Sequence, residues 1–174
     1  SYSANDDTLR ALADLGFVYD SSHNGGEAQV SRIRLAPTQI APVMRQLVEV
    51  PVTVIEELPG RLRTFQLCAL SRHEAAAALD HAMAEAHQAV TIVSHGFELA
   101  NRAGTHANAV HVRRFDALCR RLAERAAELP TRHFADRPVL ALDADDRPLG
   151  PALWRRRARQ AEQAWSNWVS ERRR

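Results

Sequence analysis

One short segment, residues 90–96 (VTIVSHG), constrains the fold of this chain more than any other. It is a run of apolar and β-branched residues that ends in His95 and is followed directly by a glycine. Such a run predicts a buried parallel strand. Ligands and catalytic side chains collect at the carboxyl ends of parallel strands, so the pattern makes His95 a candidate site residue. The alternative is a strand-end histidine that is capped by a loop carbonyl.

Helix and strand signals alternate along the rest of the chain, which indicates the α/β class. Asn5 predicts a helix cap, and Ser71 with Glu74 forms a capping box. Helices are predicted over residues 5–16, 71–86 and 112–130. Strands are predicted over residues 17–19, 50–55, 64–69 and 138–142.

Residues 151–174 predict a basic amphipathic helix. They contain seven arginines and two glutamates, a local charge of +5, with Trp154, Trp165 and Trp168 at helical spacing. Such a helix can lie on an anionic membrane surface or bind nucleic acid. The favoured interpretation is a terminal helix that docks its tryptophans on the parent domain or on a partner subunit. Nucleic acid is not an expected partner.

Composition bounds the class of protein only loosely. The 174 residues are enough for one core, and all 23 basic residues are arginine, which indicates the coding bias of a GC-rich bacterium. Cys68 and Cys119 are too few for a disulfide framework or zinc cluster and are expected to be buried free thiols. No segment has the pattern of a signal peptide or membrane span, and the compartment, cytoplasmic or periplasmic, stays open.

Three segments resemble motifs of the polysaccharide deacetylases with NodB homology, carbohydrate esterase family 4. Residues 1–9 (SYSANDDTL) and the Leu-Gly-Phe of residues 15–17 are similar to the third motif, Asp20 stands where the fourth has its aspartate, and residues 92–95 (IVSH) are similar to the fifth, Leu-x-x-His. The resemblance extends to about residue 134. It implies the C-terminal part of a distorted (β/α) barrel over residues 1–136, followed by an extension over residues 137–174 that carries the basic helix.

The resemblance implies a metal-dependent hydrolase that cleaves the N-acetyl amide of an amino sugar or polysaccharide. His95 matches the general acid that protonates the departing amine, and Asp20 matches the carboxylate that favours the charged imidazole. Ser1, with Tyr2 beside it, aligns with the position whose backbone amide helps to hold the oxyanion and bind substrate.

The resemblance also implies a divalent, zinc-like metal in the full-length enzyme. Its ligands in the family lie in an Asp-Asp and a His-x-x-x-His motif, whereas His73, His81 and His87 here are eight and six residues apart. We therefore expect the metal ligands upstream of Ser1 and the chain alone to be inactive. Glu98 could share a metal with His95, although a surface carboxylate is the favoured interpretation.

Two other functions are weighed against this one. The first is a non-catalytic module, derived from a deacetylase fold, that binds carbohydrate or a membrane surface. The second is a deacetylase-like enzyme that acts on small amides. A partial barrel leaves strand edges unpaired, which favours a homo-oligomer in either case.

Overall fold

Four α-helices and six short strands make up the part of the chain that this computed structural model describes, residues 3–170. The helices are α1 (Asp6–Asp14), α2 (Arg72–Ala84), α3 (Ala109–Glu124) and α4 (Leu153–Ser170). The strands are β1 (Tyr19–Asp20), β2 (Gln39–Met44), β3 (Leu47–Glu49), β4 (Val54–Leu58), β5 (Arg61–Thr64) and β6 (Ala144–Asp145). The predicted mixed α/β class is confirmed.

The strands form two small sheets, ordered β1-β3-β2-β6 and β4-β5. β1 is parallel to β3, with Asp20 opposite Glu49, and the other named pairs are antiparallel. Neither sheet closes into a barrel within residues 3–170.

The segment before His95 is extended, but its regular pairing is short. Val93 forms an isolated parallel bridge with Gln66. The Val93 N–H donates to the Phe65 carbonyl at 2.9 Å, and its own carbonyl accepts from Leu67 N–H at 3.0 Å. The predicted parallel pairing is therefore present around Val93, and the chain leaves it two residues before His95.

Several predicted strand positions differ from the structure. The β4–β5 hairpin turns at the predicted Pro59-Gly60, where Gly60 has a φ of +74° that a glycine adopts without strain. The β2–β3 hairpin was not predicted, because its turn contains Arg45, with a φ of 47°, and no glycine. The strand predicted over residues 138–142 is absent, and β6 forms a few residues later.

The helices begin where side chains cap them. Asn5 Oδ1 accepts a hydrogen bond from Thr8 N–H at 3.0 Å, and the Ser71–Glu74 capping box is formed as predicted. α3 begins three residues before the predicted start, because Asn108 Oδ1 accepts from the amides of Val110 and His111.

Two hydrophobic clusters form the core. One joins α2 and α3 to the β4–β5 hairpin and contains Ile55, Phe65, Leu70, Ala78, Leu79 and Leu118. The other packs α1 against β3 and contains Ala4, Leu9, Ala13, Ile33 and Leu47.

Both cysteines are free, but Cys119 is exposed rather than buried. Within residues 3–170, no helix has the length and apolar character needed to cross a membrane.

The C-terminal helix α4 docks on the domain through polar side chains. Arg159 pairs with Glu57 and donates from Nε to Glu74 at 3.1 Å. The tryptophans stay outside: Trp154, Trp165 and Trp168 are 61%, 54% and 54% exposed. The prediction that this helix docks its tryptophans on the parent domain is therefore wrong, because arginines of the helix pair with two buried carboxylates instead. Docking of the tryptophans on a partner subunit stays a prediction.

Candidate active site

His95 and Glu98 form a hydrogen-bonded pair on a single 3₁₀ turn, Gly96–Leu99. His95 Nδ1 lies 2.7 Å from Glu98 Oε1. The His95 side chain is 47% exposed, whereas that of Glu98 is 3% exposed. Residues three apart lie on the same side of a 3₁₀ turn, so the local backbone creates the pair.

Other parts of the chain hold Glu98 in place. Gln66 Nε2 donates to Glu98 Oε1 at 2.6 Å, and the Cys68 N–H donates to Oε2 at 3.1 Å. His111, in the first turn of α3, donates from Nδ1 to the Glu98 backbone carbonyl at 2.7 Å. The prediction of Glu98 as a surface carboxylate is therefore wrong, since both oxygens are buried and hydrogen-bonded.

Hydrogen bonding decides the charge of this carboxyl group. Burial alone would raise the pKa of Glu98, but hydrogen bonds from His95, Gln66 and Cys68 outweigh burial and bring the pKa below its ordinary value. Burial and the nearby Glu98 charge also raise the pKa of the Cys68 thiol to about 11. Cys68 is therefore a neutral thiol near pH 7 and is not a nucleophile.

The pair leaves the second imidazole nitrogen of His95 accessible. His95 Nε2 makes no hydrogen bond to any residue that the structure describes. Phe97, 75% exposed, stacks on the imidazole with a centroid distance of 5.0 Å. When neutral, such a histidine can accept a proton or ligate a metal at Nε2, and when charged it can donate a proton there.

Asp20 lies elsewhere and is half-buried, beside the carboxyl group of Glu49. Its carboxylate accepts from the backbone N–H and hydroxyl of Ser22, at 3.2 and 3.1 Å. Beside it, Glu49 is fully buried, and burial together with the Asp20 carboxylate raises the pKa of Glu49 to about 8. No hydrogen bond or ion pair joins Asp20 to His95 among residues 3–170, and the carboxylate that pairs with His95 Nδ1 is Glu98. The role assigned to Asp20 stays a prediction.

The other predicted site features can be placed only in part. Ser1 and Tyr2 lie outside the described residues. Across residues 3–170, no group of three or more His, Cys, Asp or Glu side chains is arranged to hold a metal ion. The residues present therefore do not form the metal site that the resemblance implies, and that metal stays a prediction.

Comparisons with family models, with curated proteins and with solved structures each found no significant match to this chain.

Sequence reasoning identified His95 but not the residues that position it. Gln66 and Cys68 follow β5, about 30 positions from Glu98 in sequence, so no local pattern links them to it. The signal that could have found the dyad was the three-residue spacing between His95 and Glu98. That spacing alone favours a surface carboxylate, because Gly96 indicates a helix or loop entry.

Proposed function

We propose that this chain is the C-terminal part of a metal-dependent deacetylase that hydrolyses the N-acetyl amide of an amino sugar or polysaccharide, folded as part of a distorted (β/α) barrel. The observation that carries the proposal is the His95–Glu98 pair. It presents an accessible imidazole nitrogen at the end of an extended, parallel-paired segment, where the resemblance implies the general acid.

The proton transfer follows from the geometry of the pair. Glu98 accepts the hydrogen bond from His95 Nδ1 and so leaves Nε2 as the nitrogen that faces the substrate. After water has added to the amide carbonyl carbon, His95 Nε2–H donates its proton to the departing nitrogen as the C–N bond of the tetrahedral intermediate breaks. The products are acetate and a free amine, and the neutral imidazole is left. Because Glu98 is buried and held by Gln66 and Cys68, the imidazole keeps one orientation during this step.

Acetate release tests the proposal. The complete translation product of the native reading frame, supplied with a divalent metal, is expected to release acetate from N-acetylglucosamine oligomers. His95→Gln should lower kcat by about 10²- to 10⁴-fold, since general acid catalysis contributes that much. His73→Gln, which changes an exposed histidine in the first turn of α2, is the matched control and should keep wild-type activity. Wild-type protein without acetate release, or a fully active His95→Gln variant, would refute the assignment.

The tautomer of His95 gives a readout that does not depend on turnover. The neutral ring should carry its proton on Nδ1, because that nitrogen faces the Glu98 carboxylate. His23 is an internal control of the opposite kind, since its Nε2 faces the Ala36 carbonyl at 3.2 Å and should carry the proton. Nitrogen-15 NMR of the imidazoles distinguishes the two forms. A neutral His95 protonated on Nε2 would contradict the proposed positioning.

One observation favours a second function, that of a non-catalytic module that binds a membrane or carbohydrate. Trp154, Trp165 and Trp168 are each more than half exposed on α4. Trp165 and Trp168 have ring centroids 5.4 Å apart, and Arg155 lies over the Trp154 ring. Exposed tryptophans beside arginines suit the interface of an anionic membrane.

Vesicle binding tests this second function. The chain should sediment with vesicles that contain phosphatidylglycerol and not with pure phosphatidylcholine, and added salt should weaken binding. Trp154→Ala combined with Trp168→Ala should reduce binding, while Phe115→Ala, an exposed aromatic on α3, serves as the control. Absence of binding to either vesicle excludes the membrane version, and a chitin pull-down then tests the carbohydrate version.

A further inference from the structure

A cavity of about 450 Å³ lies where α2, α3 and α4 meet. Neither His95 nor Glu98 contributes to its lining. Arg72, Arg113 and Arg114 line it together with Glu162 and Trp165. Its volume is within the range of about 300–1,000 Å³ that is typical of small-molecule sites.

Arg114 is a buried residue of the cavity lining, with a side chain only 3% exposed. Its Nε donates to Glu162 Oε2 at 3.0 Å and its Nη1 to the Cys68 carbonyl at 3.1 Å. Its Nη2 is buried and has no hydrogen-bond partner among the described residues. A buried donor without an acceptor is costly, particularly on a charged group. In a guanidinium, Nε–H and one N–H of Nη2 point the same way, so the free donor lies on the side of Glu162, which lines the cavity.

Two further arginines leave the cavity positively charged. Arg72 forms no ion pair or hydrogen bond within residues 3–170, and Arg113 hydrogen-bonds only the Ala109 carbonyl, at 3.1 Å. Three arginines against Glu162 leave a net charge of +2 at the cavity. Arg72 begins α2, and Val110 in the first turn of α3 also lines the cavity, so the positive ends of two helix dipoles add to this potential.

We propose that this cavity binds a small organic anion that carries an oxyanion on a ring. The oxyanion would accept hydrogen bonds from Arg114 Nη2, from the guanidinium group of Arg72 and from the Nη atoms of Arg113. The ring would lie against Trp165 and the neighbouring Val110 side chain. Phosphate and carboxylate both suit the guanidinium fork, and the shared chemistry is the planar or tetrahedral oxyanion next to an apolar ring. The inference does not depend on the proposed deacetylase activity.

Calorimetric titration of the 174-residue chain tests the inference. Phenyl phosphate and benzoate are the two probes. Inorganic phosphate supplies an oxyanion without a ring, and phenol supplies a ring without that oxyanion; these are the two half-ligands. One of the two probes should bind about tenfold or more tightly than either half, because only a complete ligand uses both the arginines and Trp165. The tighter of the two probes identifies phosphate or carboxylate as the preferred oxyanion.

Substitutions locate the binding. Arg113→Gln and Arg72→Gln should each weaken it about threefold to tenfold, and Arg114→Gln should abolish it. If Arg114→Gln does not fold, the Arg72→Gln/Arg113→Gln double variant tests the proposal instead. Its affinity for the probe should fall by about tenfold or more. Arg120→Gln removes an exposed arginine of α3 that pairs with Asp116, and should leave binding unchanged. Failure of both probes to bind at about 1 mM would overturn the proposal, as would equal losses in Arg113→Gln and Arg120→Gln.

Discussion

Glu49 shows how burial sets the protonation of a single residue. It is 0% exposed, and Oε1 accepts the His23 N–H at 2.8 Å, while Oε2 has no donor among the described residues. Its pKa of about 8 means that Oε2 carries a proton at neutral pH and can donate it toward Asp20.

This raised pKa predicts a pH dependence of stability. The folded state binds a proton that the unfolded chain loses near its ordinary pKa of 4.5. The contribution is therefore fully present below pH 4.5 and is lost as the pH rises to about 8, by at most about 1.4 kcal/mol per pH unit. Glu49→Gln keeps an acceptor for His23 and a donor for Asp20, so it should flatten the dependence and stabilise the protein at pH 9.

Urea unfolding between pH 4.5 and 9 measures this effect. Glu85→Gln, at an exposed position that ends α2, is the control and should follow the wild-type curve. Parallel curves for Glu49→Gln and wild type would show that Glu49 is ionised in the folded protein.

At the scale of elements, one asparagine determines both where α3 begins and how α4 is attached. Asn108 Oδ1 caps the amides of Val110 and His111, and its Nδ2 donates to Ser166 Oγ on α4 at 2.9 Å. Asn108→Ala should therefore destabilise the protein by about 1–2 kcal/mol, since it removes a helix cap and an interhelical hydrogen bond.

Ser166→Ala separates the two effects, because it removes the attachment to α4 and leaves the cap intact. Denaturant unfolding of both single variants and the double variant gives the coupling energy. If Asn108→Ala costs no more than Ser166→Ala, the cap contributes nothing.

At the scale of the whole molecule, an ionic cluster joins α4 to α2 and to both strands of the β4–β5 hairpin. Arg159 of α4 meets Glu57 of β4 and Glu74 of α2, and Arg63 of β5 also donates to Glu57, at 2.8 Å. Burial alone would raise the pKa of Glu57, but Arg63 and Arg159 outweigh burial and lower it. The stability this pairing contributes is present above the ordinary pKa of 4.5 and is lost as the pH falls through the lowered value.

Arg159→Gln leaves the buried Glu74 without its counter-charge and leaves Glu57 paired only with more exposed arginines such as Arg63. We expect a loss of about 3–5 kcal/mol at pH 7 by chemical denaturation, because removing one partner of a buried pair leaves an uncompensated charge. The loss should shrink at pH 3, where the carboxylates begin to protonate. Arg157→Gln, at an exposed position of α4, should cost little. Equal losses for the two variants would mean that the cluster does not hold α4.

Local signals in the sequence determined most helix boundaries and the candidate histidine. Asn5 and the Ser71–Glu74 box act within one turn, so their effect can be read from neighbouring residues. The β-branched run before His95 likewise indicated an extended segment with parallel pairing, which the structure shows around Val93.

The tertiary structure alone determined which side chains distant in sequence contact one another. The partners of Glu98 come from beyond β5 and from α3, and no periodicity relates them to it. The spacing of the tryptophans in α4 predicted a buried apolar face, yet the helix buries Arg159 because two carboxylates on β4 and α2 lie opposite it. Helix caps and strand patterns depend on contacts between near neighbours, whereas the charge state and orientation of a buried side chain depend on whatever distant group packs against it.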